Sequence, residues 1–299
     1  MRVTQSMLNR NVTYWISRNL EDLATVNEQL STGQKLNTIS DDVLASGRVL
    51  RLERENEAIQ SYVRNLGLAD TMLSFATTSL EQASETIARV KELAIQAATE
   101  TYNDSNLQTI AAGVDASLVT LVALGNIEYQ GTYAFSGEAV HTASFATTKD
   151  AAGEIQSVAY EGAMVTTQVN VGPRAVTEVN LVGQEIFRGD GDLFQTVIDL
   201  REAIRVGDQD EINRLIGELD VSHTDIRQAL GTLGERQDQL QVLANASEAF
   251  LQRNDEVIAN LRDADVAELA VQYSSLMASL KVVMKVAAET VKPSIFDFL

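Results

Sequence analysis

Two histidines are the residues of this 299-residue chain that could most readily bind a metal or move a proton. His223 falls at an apolar position of a helical repeat and has no second ligand beside it in the sequence. We therefore interpret it as a structural residue, and His141 as a loop residue. Neither histidine predicts a metal site.

An acidic loop at residues 188–192 (RGDGD) has carboxylates spaced as in part of a calcium-binding loop. Calcium loops need further oxygen ligands at fixed spacing and a distal glutamate, and this segment lacks both. It predicts a glycine-rich turn in which Asp192 caps the next helix. Asp41, Asp42 and the acidic residues at 208–211 also precede predicted helices, where capping explains them. The sequence thus predicts no catalytic residues, no cofactor, no metal and no enzymatic activity.

Composition limits the classes of partner. The net charge is -19, which disfavours nucleic acid and anionic membranes as partners. There is no cysteine, so disulfides and thiolate metal sites are excluded. The first ten residues contain no apolar stretch typical of a cleaved signal peptide, and no uninterrupted run approaches 18 apolar residues. We therefore expect neither a cleaved signal peptide nor membrane insertion.

Both ends of the chain carry an apolar repeat whose spacing alternates between four and three residues. A repeat of this kind is typical of helices that supercoil around a partner. It predicts that the ends pair with each other and form an assembly interface with other copies. The repeat comprises Val12, Ile16, Asn19, Leu23, Val26, Leu30, Val266, Leu269, Tyr273, Leu276, Leu280 and Val283.

Asn19 allows two interpretations, a residue that fixes the register or part of a wet interface, and the sequence leaves both open. Further apolar side chains lie off the repeat, and a helix that is apolar over more than one stripe needs more than one neighbour. We expect the terminal pair to order fully only against copies or relatives. These off-repeat residues are Trp15, Leu20, Met277, Val282, Met284 and Val286.

Long helical patterns fill most of the remaining chain. We predict helices over residues 4–32, 40–101, 105–131 and 192–207, with Ser40 as an N-cap, and one continuous helix from 208 to 292. Its repeat slips by one residue at 262–265, matching the polar break at 33–40. Residues 133–187 are rich in Gly, Thr, Val and Ser and predict strands at 157–160, 164–171 and 175–181.

The predicted fold class is mainly α, an elongated helical rod with a terminal antiparallel coiled-coil pair, a central helical bundle and a small β insertion. The predicted domains are a terminal assembly module (1–39 with 263–299), a bundle (40–132 with 188–262) and an outer β-rich domain (133–187).

Three segments resemble conserved stretches of the bacterial flagellin superfamily. Residues 30–37 (LSTGQKLN), followed by SDD at 40–42, resemble its N-terminal signature. Residues 230–237 (LGTLGERQ) are similar to its returning bundle helix, and 260–267 (NLRDADVA) to the stretch before its terminal helix. Val43 stands where family members often have proline. Within the superfamily, residues 294–299 (SIFDFL), 133–137 (YAFSG) with Phe145, and Tyr160 to Gly162 with Val182, Gly183 and Phe187 resemble the hook-associated protein 3 family.

This resemblance implies a structural subunit that is exported unfolded without a cleaved signal peptide and acts as an adaptor between hook and filament. The implied partners are copies of itself, hook-associated protein 1, flagellin and an export chaperone, and the implied location is the extracellular flagellum. Flagellin is the nearest alternative. A signalling coiled coil is more distant, because the chain has a β insertion and no membrane segment.

Overall fold

A computed structural model describes residues 5–99 and 104–290. Within them the chain is mainly helical and contains three small antiparallel strand pairs, which confirms the predicted fold class. The helices are α1 (Gln5–Thr32), α2 (Val43–Thr99), α3 (Asp104–Gly125), α4 (Gly183–Phe187), α5 (Leu193–Val206), α6 (Gln209–Arg262) and α7 (Val266–Thr290). The strands are β1 (Glu128–Tyr129), β2 (Thr132–Tyr133), β3 (Phe145–Lys149), β4 (Ile155–Tyr160), β5 (Gln168–Gly172) and β6 (Ala175–Glu178).

The chain divides into two compact units. Unit 1 comprises residues 1–58 and 250–299, and unit 2 comprises residues 59–249. All of the described strands, with α3, α4 and α5, lie in unit 2. The three-domain division drawn from the sequence stays a prediction.

Unit 2 is built around one continuous apolar core. The predicted large-and-small repeat of α2 is confirmed, since each of its members is at most 3 % exposed. Alternation of leucine and alanine lets neighbouring helices approach closely. The α2 repeat is Leu66, Ala69, Leu73, Ala76, Leu80, Ala83, Ile87, Val90, Ala94 and Ala97.

Helix α3 has the length and hydropathy of a membrane-spanning helix. In the structure it packs against α5, and Ala111, Val114, Leu118 and Leu121 are fully buried in the core of unit 2. Its apolar composition is therefore that of a core helix. It ends at Gly125, before the predicted end at residue 131.

Four phenylalanines join the strands to the helices. The ring of Phe145, on β3, lies 4.8 Å from that of Phe194 on α5 and 5.4 Å from that of Phe187 on α4. Phe135 completes the cluster with its ring 5.3 Å from Phe187. Asn126 holds β3 in place, because its side chain donates to and accepts from the backbone of Phe145, both at 2.8 Å.

The strand pairs differ from the prediction in extent. Each pairs only with its neighbour in sequence: β1 with β2, β3 with β4, and β5 with β6. β3 was not predicted, and the predicted strand at 164–171 begins only at Gln168. The short helix α4 lies inside the segment predicted to be β-rich. Polar β-branched segments of this kind give weak signals, because the strand preference of a residue depends on the side chains that it packs against.

Candidate assembly surface

In unit 1, residues 33–42 link α1 to α2 and residues 263–265 link α6 to α7. Gly33 ends α1 in the left-handed conformation, with φ of 69°, as predicted for a glycine at this position. The Lys35 amide donates to the Arg262 carbonyl at 2.7 Å, and the Ala264 amide donates to the Gly33 carbonyl at 2.9 Å. The two breaks predicted from the sequence therefore lie side by side.

Two aspartates build the turn into α2. Asp41 accepts hydrogen bonds from the amides of Asn37 and Thr38, at 2.9 and 2.8 Å. The bonds from the Thr38 amide and hydroxyl hold the pKa of the Asp41 carboxyl below its ordinary value. Asp42 caps the helix by accepting from the amides of Leu44 and Ala45. The predicted cap at Ser40 is wrong, because α2 begins three residues later, at Val43.

Asp265 starts α7. Its side chain accepts from the Ala267 amide at 2.9 Å and from the Glu268 amide at 3.2 Å. The predicted continuous helix from 208 to 292 is therefore wrong: α6 ends at Arg262 and a newly capped helix begins at Val266. The phase slip in the repeat arises because 263–265 are not helical.

Helices α1 and α7 pack against each other as an antiparallel pair, with the end of α1 beside the start of α7. Eleven of the twelve predicted repeat residues are buried or half-buried, and Val266 is 55 % exposed. The repeat thus marks the side on which α1 and α7 meet. Whether it also contacts other subunits stays a prediction. Leu23, Val26 and Leu269 are buried; Val12, Ile16, Asn19, Leu30, Tyr273, Leu276, Leu280 and Val283 are half-buried.

The packing between these helices is thin. Leu23, Val26 and Leu269 are 7–8 % exposed, and no other residue among the described side chains of α1 and α7 is buried. A shallow groove remains between the helices, with Gln29 and Gln272 among its lining residues. An isolated pair of helices with so little burial is marginally stable in water.

Large apolar side chains project from the terminal helices into solvent. Trp15 is 57 % exposed and lies edge-on to Tyr14, with ring centroids 5.5 Å apart. Of the other off-repeat residues, Leu20, Val282, Met284 and Val286 are also exposed, whereas Met277 is half-buried. Large exposed apolar patches are typical of interaction surfaces.

Sequence reasoning missed Val271, which is 71 % exposed on α7. A signal was present, because Val271, Ala278 and Val282 are spaced by seven and four residues and so share a helix face. This face carries a second apolar stripe on α7, besides the repeat that meets α1.

The residues considered for chemistry have structural partners. His223 lies 2.7 Å from the Ser84 hydroxyl, across α6 and α2, and burial together with Arg227 lowers the pKa of its imidazole. Asp192 caps α5 through the Gln195 amide, as predicted, and pairs with Arg188 at 2.6 Å. His141 contacts the Gly131 carbonyl at 3.0 Å. Across residues 5–99 and 104–290, no group of three His, Asp or Glu side chains is placed to hold a metal ion.

Comparison with known proteins relates the N-terminal part of the chain to a known family. Residues 3–140 match the family described as the bacterial flagellin N-terminal helical region. The chain therefore carries a flagellin-type N-terminal region, and the predicted relation to the bacterial flagellin superfamily is confirmed. It is similar to the flagellar filament 30.7 kDa core protein of Treponema maltophilum, with 21 % identity over 276 residues that cover 91 % of this chain and 90 % of that protein. Other curated relatives are named flagellin or flagellar hook-associated protein 3, and this chain spans less than half of the length of each.

Solved structures share the fold. A putative flagellar hook-associated protein from Vibrio parahaemolyticus superposes with a TM-score of 0.67 at 23 % identity, covering 75 % of this chain and all of that one. Hook-associated protein 3 from Legionella pneumophila superposes with a TM-score of 0.63 at 15 % identity, covering 71 % of this chain and 98 % of that one. The fold is thus the one seen in hook-associated proteins.

Proposed function

We propose that this chain is a structural subunit of the bacterial flagellum that joins the hook to the filament and assembles through its terminal helices. The observation that carries the proposal is the incompletely buried α1–α7 pair, which exposes Trp15, Val271 and Val282. Such a pair gains stability when neighbouring copies cover its apolar side chains. The fold shared with hook-associated proteins and the flagellin-type N-terminal region support a flagellar location.

The role is one of assembly and not of catalysis. In this proposal, copies of the chain contact one another, with hook-associated protein 1 on one side and flagellin on the other. An export chaperone binds the C-terminal helix before the chain leaves the cell, and the mature subunit resides in the extracellular flagellum. The resemblance to hook-associated protein 3 supports these partners.

A filament subunit is the second candidate. It is favoured by one observation, the similarity to a Treponema filament core protein along nearly the whole chain. Gold-labelled antibody on isolated flagella separates the two candidates. A junction subunit gives a single band at the hook–filament boundary, whereas a filament subunit gives label along the whole filament. Absence of label from both places would contradict a flagellar role.

A charged residue within the pair tests assembly through the terminal helices. We expect Leu276→Asp and Leu23→Asp to reduce the amount of chain recovered in sheared flagella more strongly than they lower the thermal midpoint of the monomer. The reason is that the pair contributes little to monomer stability but is required for contacts between copies. Asn27→Asp adds the same charge at an exposed position of α1 and serves as the control. Normal incorporation of Leu276→Asp would contradict the proposal.

A further inference from the structure

The first turns of α2 expose a stripe that is both apolar and basic. Leu44 is 87 % exposed, and Arg48 and Arg51 are exposed on the same face of the helix. Within the described part of the chain, neither arginine has an ion-pair or hydrogen-bond partner. Two neighbouring arginines without acidic partners are unexpected in a chain with 42 acidic and 23 basic residues. We call Leu44, Arg48 and Arg51 the basic stripe.

Helix α6 exposes a stripe of the opposite charge in unit 2. Val242 is 67 % exposed, and Glu235 and Asp238 are exposed on the same face. Neither carboxylate has an ion-pair or hydrogen-bond partner among residues 5–99 and 104–290. We call Glu235, Asp238 and Val242 the acidic stripe.

The two stripes have the same residue spacing but run in opposite directions along the sequence. Arg48 and Arg51 lie four and seven residues after Leu44, whereas Asp238 and Glu235 lie four and seven residues before Val242. At a rise of about 1.5 Å per residue, each stripe places its charges about 6 and about 10.5 Å from its apolar residue. The two stripes therefore have matching dimensions along their helices.

Only an antiparallel arrangement makes use of this match. With Leu44 beside Val242, antiparallel helices place Arg48 beside Asp238 and Arg51 beside Glu235. Parallel helices in the same alignment would place the arginines beside Ala246 and Ala249, which offer no charge. The match thus specifies a relative direction as well as a register.

We propose that the basic stripe of one copy docks antiparallel on the acidic stripe of a second copy. This inference rests on the proposed function, because it supplies one of the contacts through which copies assemble. A chain with a net charge of -19 repels its own copies at long range, so a close contact needs local charge complementarity. The basic stripe provides it.

The antiparallel direction of the contact is also the direction in which α2 and α6 pack within one chain. Within unit 1, Asn56 of α2 bonds Asp255 of α6 and Glu53 pairs with Arg262, so the two helices run antiparallel. Within unit 2, Ser84 meets His223 and Lys91 meets Asp220, again antiparallel. Inside each unit, α2 and α6 therefore already pack in the direction that the contact requires. Since the contact uses different patches on the two copies, it can repeat around a ring or along a helix.

Disulfide cross-linking tests the register directly, because the natural chain contains no cysteine. Full-length Leu44→Cys and Val242→Cys chains are produced together in cells, and sheared flagella are oxidised mildly. We expect a cross-linked dimer containing one chain of each kind. Pairing Leu44→Cys with Ala249→Cys is the control, and its yield should be at least about five-fold lower, because residue 249 lies about 10.5 Å further along α6.

Charge reversal tests the electrostatic part. Chains with Arg48→Glu and Arg51→Glu, or with Glu235→Arg and Asp238→Arg, should each show reduced recovery in flagella with an unchanged thermal midpoint. The chain carrying all four changes should regain wild-type recovery. Wild-type recovery of the Arg48→Glu, Arg51→Glu chain, or no cross-link between positions 44 and 242, would overturn this contact and leave the proposed function intact. Absence of the wild-type chain from flagella would instead overturn the proposed function and this contact with it.

Discussion

The α1–α7 pair and the core of unit 2 come from the same kind of apolar repeat but reach very different degrees of burial. In unit 2, α2 contacts α3, α6 and β1, and residues such as Leu73 and Leu80 are fully buried. In the pair, α1 and α7 pack mainly on each other, and Leu23 is among the three described residues that become buried. Helical spacing therefore shows which side of a helix is covered, but the number of neighbours decides how much is buried.

The largest expected effect lies in the core of unit 2. Phe194 is fully buried, with its ring 4.8 Å from Phe145 and 5.6 Å from Phe187. We expect Phe194→Ala to lower the free energy of unfolding by about 3–5 kcal/mol, because it removes aromatic contacts and leaves a cavity. Chemical denaturation of the purified chain measures this loss.

A matched substitution in unit 1 sharpens the comparison. Phe250 on α6 is 55 % exposed, so Phe250→Ala should change the free energy of unfolding by no more than about 0.5 kcal/mol. If both substitutions lowered the free energy of unfolding equally, burial of the phenylalanine would not explain its contribution to stability.

The helices and the contact side of the terminal pair could be predicted from sequence. Leucine and alanine at helical spacing gave the α2 core, and the heptad repeat gave the sides on which α1 and α7 meet. These signals are local, since each depends on residues within a few turns. Gly33 and Asp192 were also predictable, because a left-handed glycine and an aspartate cap have strong positional preferences.

Features that depend on contacts distant in sequence could not be predicted. Strand β3 pairs with β4 and is fixed by Asn126, which lies 19 residues before Phe145. The break at 263–265 was seen as a phase slip, but its cause is the cap at Asp265 and the backbone pairing with Gly33 and Lys35. The exposure of Val266 also could not be predicted from local spacing alone, because it is a member of the repeat and still lies exposed at the start of α7.

A smaller effect is expected at the start of α7, within the weakly buried region. Asp265→Ala removes the acceptor for the Ala267 and Glu268 amides, at a cost of about 1 kcal/mol to the helix. Because the pair contributes little to the overall core, we expect a local change and not global unfolding. Hydrogen exchange should therefore accelerate about five-fold in the first turn of α7, with little change in unit 2.

Asp265→Asn is the control, because asparagine caps a helix nearly as well as aspartate. It should preserve slow exchange in the first turn of α7. If Asp265→Ala accelerated exchange equally in α3 and α5, the stability of α7 could not be separate from that of unit 2.

The smallest expected effect is a pH dependence of stability that arises in unit 2. His223 is half-buried beside Ser84, and burial, followed by the charge of Arg227, lowers the pKa of its imidazole. The folded chain therefore binds fewer protons at this site than the unfolded chain. The resulting stability is complete above the unfolded pKa of about 6.5 and is lost as the pH falls from there through the lower folded pKa.

We accordingly expect the thermal midpoint to fall slightly between about pH 7.5 and about pH 5.5, and His223→Gln to reduce this fall. Glutamine retains a group that can hydrogen-bond to Ser84 but cannot be protonated in this range. His141→Gln, in an exposed loop, is the control and should keep the wild-type pH dependence. An identical pH dependence in His223→Gln and the wild-type chain would show that packing around His223 tolerates its charge, and that the core of unit 2 is less closed on this side than its buried leucines indicate.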